Sequence, residues 1–251
     1  MNGNALPASP REPASRTVGW WAMLRTAALL LASTLSPAAW GRPARHAVAT
    51  EVYLHARSTL PRFALVSGLF SLVLVHIVVV TAQSYGLTQF ALGTVIRVLV
   101  VELLPLAAAL FVAVQGTPDA APALDGEATA DEAGSIGLPT ALLARVAARY
   151  VAVVALTTTA GGIALVLAYL GVYGFTPWGV ASFTRTVGQV FDPIVLMALG
   201  LKTGLFAAAV AAIPPACDTD GGAGDPTLHG TVRLFAVLIA IETLSLAVEF
   251  F

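Results

Sequence analysis

The sequence predicts an all-α, polytopic membrane protein: five transmembrane helices preceded by an N-terminal interfacial amphipathic helix. Three observations carry this. Of the 251 residues, 57% are hydrophobic and only 11% are charged, whereas a soluble domain carries roughly 25% charged residues because its surface faces water. Mean hydropathy is +0.84. The apolar residues also gather into five runs of about 20 residues, the length that crosses ~30 Å of hydrocarbon as a helix.

Residues 1–19 are rich in Pro, Ser and Arg and read as a disordered N-terminal tail. Residues 20–62 read as an interfacial helix region. Trp20–Leu31 is apolar but short for a span and is interrupted by Arg25, while Trp20, Trp21 and Trp40 suit headgroup depth. The other reading of residues 20–40 is a cleaved signal, with Ser36-Pro37-Ala38-Ala39 as its cleavage region. The long basic stretch before it, and Arg42 and Arg45 after it, favour the interfacial helix.

The membrane domain occupies 63–251. Its first span is Phe63–Gln83, after Pro61, with one polar residue of note, His76. The second, Val95–Val114, carries Arg97 and Glu102 and a mid-span Pro105 that is expected to kink it. Residues 115–139 turn acidic, with Asp119, Asp125, Glu127, Asp131 and Glu132 among Pro, Ala and Gly, and read as a flexible cytoplasmic loop. The third span is Val146–Tyr169. A polar-aromatic stretch, Gly171–Asp192, with Tyr173, Phe175 and Trp178, suits the membrane interface. The fourth span, Pro193–Ile213, holds Lys202 and is expected to stop at Pro214-Pro215. The fifth, Thr231–Phe251, holds Glu242.

Arginine placement sets the orientation. Basic residues accumulate in short cytoplasmic loops. With the N-terminus inside, ten of the 13 basic residues are cytoplasmic: Arg11, Arg16, Arg25, Arg42, Arg45, Arg57, Arg62, Arg145, Arg149 and Arg233. Arg97 and Arg185 fall outside, and five spans leave the C-terminus extracytoplasmic.

Glu102, Lys202 and Glu242 lie inside spans, where each charge costs at least ~2.5–3.5 kcal/mol at a helix centre. Such groups persist when they pair or face a water-filled cavity, so Lys202 is expected to neutralise one or both carboxylates. Two roles stay open: a salt bridge that fixes helix register, or a polar cavity that handles a lipid headgroup or a gate. His76 is expected to hydrogen-bond a neighbouring helix. Gly68, Gly161, Gly162, Gly200 and Gly204 are expected to permit close helix approach.

A formal charge of −1 argues against a nucleic-acid partner. Cys217 is alone, and His46, His55, His76 and His229 are scattered, so nothing has metal-ligand spacing and no cofactor is implied. No phosphate-binding G-x-x-x-x-G-K-[ST] loop, H-E-x-x-H or G-x-S-x-G motif occurs. Hence the chain has no ATPase site of that kind, and an intramembrane enzyme would have to rest on Ser67 or His76.

Several segments together resemble the MlaE-type (YrbE-like) permeases, membrane subunits of ABC transporters that move phospholipids or other lipids across the cell envelope. Ser58-Thr59-Leu60-Pro61 followed by Leu65-Val66-Ser67-Gly68-Leu69-Phe70-Ser71 resembles the start of that family's first span. Val101-Glu102-Leu103-Leu104-Pro105 resembles its Arg-Glu-Leu-Gly-Pro segment, and Gly200-Leu201-Lys202-Thr203-Gly204-Leu205-Phe206 its Leu-Lys-Ser-x-x-Phe-Gly segment. Cys217, Gly221-Gly222-Ala223-Gly224 and Thr231-Val232-Arg233 resemble the last inner loop; Glu242 and Phe250-Phe251 match in place. Val101 and Leu104 depart from the pattern, and the family's cytoplasmic coupling segment has no counterpart in 115–139.

The resemblance implies a non-enzymatic transport subunit in the inner (cytoplasmic) membrane. It implies a lipid substrate and a lipid cavity or intramembrane charge network at Glu102, Lys202, Glu242 and His76. The implied partners are a separate ABC ATPase subunit, a second permease subunit in a homo- or heterodimer, and a periplasmic or extracytoplasmic lipid-binding subunit. The missing coupling segment motivates an alternative: a degenerate, non-transporting scaffold or regulatory partner of a full permease.

Overall fold

A computed structural model describes residues 21, 24–29, 31–32, 42–115, 140–218 and 226–250. Among them there is no strand. The elements are α1 (Arg42–Ser84), α2 (Thr88–Val95), a π-helix (Ile96–Leu103), α3 (Leu104–Gln115), α4 (Thr140–Tyr173), a 3-10 turn (Pro177–Gly179), α5 (Val180–Val190), α6 (Pro193–Asp218) and α7 (Pro226–Phe250). Five segments are long and apolar enough to cross a membrane: Thr59–Ser84, Phe90–Gln115, Arg145–Tyr173, Pro193–Pro214 and Gly230–Ala247. The protein is therefore an all-α, multi-pass membrane protein. The acidic loop lies outside the described residues, as do the N-terminal tail, Trp20 and Trp40.

Two helices run through prolines, and at Pro214-Pro215 this departs from the expected stop. Residues 20–62 read as an interfacial region and Phe63–Gln83 as the first span, and α1 runs unbroken for 43 residues across that boundary, Pro61 included. At 1.5 Å per residue such a helix is ~65 Å long, about twice the hydrocarbon thickness. Likewise α6 continues through Pro214 and Pro215 to Asp218. A proline removes one N–H from the helical ladder but leaves its neighbours' bonds intact, and membrane helices tolerate that loss. Ahead of α1, helical residues at 24–29 dock on the bundle, where Ala27 is buried in the main core and Leu31 packs against it.

The first and third spans pack most extensively. Gly68 lies against Ile163 and Val75 against Gly171, so numbers rise together and the two helices run parallel. On α1 the buried face is Ser67, Ser71, Val75 and Val79, at four-residue spacing; on α4 it is Leu156, Ala160, Ala164 and Ala168. Small side chains let the backbones approach, which is how helices associate where lipid tails remove the hydrophobic drive. The tightest point is Gly171, where an added Cβ would come within 2.5 Å of Val75 Cγ1. The glycines inside the spans contribute less than expected: Gly68, Gly161 and Gly204 leave ordinary contact distances, and Gly162 and Gly200 face open space.

The fourth span packs on α4 and on the fifth, and α3 touches α4, α6 and α7. At the end of α4, Gly174 adopts φ +65 and its N–H bonds the Leu170 carbonyl at 2.9 Å, closing the helix as glycine C-caps do. Tyr169 donates to the Thr176 carbonyl and stands edge-on to Phe183, ring centroids 5.2 Å apart, which fixes α5 across the end of α4. Beside it Phe175 and Trp178 are 94% and 91% exposed.

Candidate functional site

The bundle's charged residues are positioned by three separate spans. In an α-helix Pro105 would follow a bond from its own N–H to the Val101 carbonyl, but proline has no N–H to give. The segment before it is wound as a π-helix, with the Leu104 N–H reaching back five residues to the Leu99 carbonyl. Pro105 thus expresses itself as a widened turn over Ile96–Leu103. Glu102 sits in that turn, near the middle of the 26-residue second span. Single π-turns inside longer helices recur at functional sites.

On α6, Lys202 shares the buried face with Phe206 and Val210, at i+4 and i+8, while Leu201 and Leu205 point outward. On α7, Leu238 and Leu234 are buried one and two turns before Glu242. These registers aim one ammonium and two carboxyls at a common point. Lys202 Nζ donates a hydrogen bond to Glu102 Oε2 and lies 2.9 Å from Glu242 Oε2. Exposure is 3% for the Lys202 side chain, 13% for Glu102 and 17% for Glu242.

The two contacts differ in kind. The one to Glu102 meets hydrogen-bond geometry, whereas the one to Glu242 satisfies distance alone, and Glu242 Oε2 has no hydrogen-bond partner. Glu102 Oε1 is also buried without a partner. Both carboxyls meet the same ammonium, since Lys202 Nζ contacts Oε2 of each. Two acids and one base therefore occupy one poorly solvated spot, where isolated charge is costly and mutual contact is the available compensation.

His76 stands apart. It lies on the exposed side of α1 next to Ile77, and among the described residues it makes no hydrogen bond or ion pair. The expected bond to a neighbouring helix is not formed, because α1 turns Ser71 and Val75 toward α4 and carries His76 about 100° further round. Ser67, the other candidate for covalent chemistry, bonds the Ala64 carbonyl of its own helix at 3.3 Å and sits in the α1–α4 seam. No group of three His, Cys, Asp or Glu suited to a metal occurs among the described residues.

Other buried polar groups escaped the sequence reading. Thr59 donates to Gln115 Oε1 at 2.9 Å, joining the start of the first span to the end of the second. Ser71 and Thr203 bury hydroxyls without partners. Uncharged residues give no energetic alarm in an apolar run; the Ser67-to-Ser71 spacing of four was the available clue for the seam.

All three charged residues fall within the stretch, residues 48–245, over which the chain matches the model of the MlaE permease family. The chain belongs to the MlaE permease family. As an MlaE-family member it is a multi-pass membrane permease of the ABC transporter type. No curated protein and no solved structure matches the chain.

Proposed function

We propose that this MlaE-family protein is the membrane permease subunit of an ABC transporter that moves phospholipid or another lipid across the cell envelope. It sits in the inner membrane with its N-terminus cytoplasmic and C-terminus extracytoplasmic. A second permease subunit, a separate ATPase and an extracytoplasmic lipid-binding subunit complete the machine. The supporting observation is the meeting of Glu102, Lys202 and Glu242 from three spans, away from either membrane face. A purely structural bundle could fill those positions with apolar residues at lower cost. A polar centre assembled from three separate helices is suited to a headgroup path that would open and close if the helices separated. The apolar sides of the fourth and fifth spans, exposed at Met197, Leu201, Phe235 and Ile239, are available to lipid or to a second subunit.

Co-expression and purification test this reading. An ATPase should co-purify, ATP should drive lipid transfer between reconstituted vesicles, and Lys202→Ala should abolish the transfer without loss of the complex. The second reading, a non-transporting scaffold or regulator of a full permease, is favoured by the sequence of 115–139: its five acids among Pro, Ala and Gly offer no apolar face to an ATPase groove. No co-purifying ATPase, together with a 115–139 deletion that changes nothing, would establish that alternative.

A further inference from the structure

The charge count of the trio does not balance. One ammonium faces two carboxyls, which leaves a net charge of −1 if all three are ionised, in a spot where even one uncompensated charge is expensive. The unsatisfied atoms identify what is missing. Glu102 Oε1 and Glu242 Oε2 are both buried and both lack a hydrogen bond, and they belong to carboxyls that contact the same Lys202 ammonium. Two carboxylate oxygens are acceptors only and cannot satisfy one another. A single proton on one of the two carboxyls supplies a donor and removes the excess charge.

We propose that the Glu102–Lys202–Glu242 trio is a proton-binding site: one proton, taken from solvent as the spans pack, is shared between the two carboxyls. Glu102 is the ionised partner of Lys202, since that contact alone has hydrogen-bond geometry. Glu242 carries the proton and donates it to Glu102. The other titratable groups on the helices packed around the trio are Arg97, exposed on the π-helix, Arg233, nine residues before Glu242 on α7, and Arg145, Arg149 and Tyr150 on α4, the Tyr150 hydroxyl lying beside Gly204. The proton belongs to the pair, because carboxyls that share one ammonium titrate together. This deepens the proposed function, and its role in transport rests on that reading: separating the fourth and fifth spans from the second would break the shared bond and release the proton.

Infrared spectroscopy of the full chain in lipid nanodiscs at neutral pH tests it. The wild type should show the C=O stretch of a protonated carboxylic acid that shifts in deuterium oxide. Glu102→Gln and Glu242→Gln should each abolish that band, because the remaining carboxylate then pairs with Lys202. Lys202→Met should keep it. Should a Gln variant fail to fold, Glu102→Asp and Glu242→Asp retain the charge count and should move the band. Absence of the band in the wild type, as when a cation from outside neutralises the site, overturns the proposal; so does a band that stays put in every carboxyl variant. The measurement needs neither ATPase nor lipid transfer. A missing band therefore leaves the transport reading standing, and failed transport with an intact band removes only that reading.

Discussion

Lys202 donates to Glu102 across 100 positions of sequence, from the fourth span into the second. With Glu242 beside it, the contact ties together three helices that otherwise meet mainly through apolar side chains. Removing the cation should cost more than the pair is worth, since it strands two carboxyls. Lys202→Ala is expected to lower unfolding stability by about 3–5 kcal/mol. Denaturant or thermal unfolding in detergent micelles measures it; a variant as stable as the wild type would mean that water already reaches the site.

The α1–α4 seam makes opposite predictions at two positions. Ser71 is fully buried and its hydroxyl has no partner, so Ser71→Ala should leave stability unchanged or raise it. Gly171→Ala would drive a Cβ to 2.5 Å from Val75 Cγ1. Val75 is itself buried and branched, so relief requires the helices to part, at a cost of about 1–3 kcal/mol. Paired unfolding curves of the two variants should separate in that order.

Thr59 offers a smaller and more local effect. Thr59→Val keeps the shape but loses the donor to Gln115, which should cost about 1 kcal/mol. Hydrogen exchange should quicken near the ends of the first and second spans and stay unchanged at the α1–α4 seam.

Orientation is testable without purification. Fusing a reporter that is active only outside the cytoplasm after Phe251 should give activity, and fusing it within 115–139 should give none. The reverse pattern would place ten basic residues on the extracytoplasmic face and contradict the arginine argument.

What was legible in the sequence was whatever depends on local sums. A run of apolar residues identifies a span because transfer into lipid adds up residue by residue, so five spans and the family could be read from the chain directly. Glu102, Lys202 and Glu242 drew notice by the same arithmetic, as costly charge in apolar runs. His76 drew notice equally, yet lies on an outward face, because composition does not say which way a helix is turned. The tertiary structure decided the rest. It carried α1 and α6 through their prolines, converted the turn before Pro105 to π geometry, set Ser71 and Val75 against α4, and brought two acids to one base. Those outcomes depend on how helices far apart in sequence rotate and pack to satisfy one another's buried groups, and no sum over neighbouring residues contains that information.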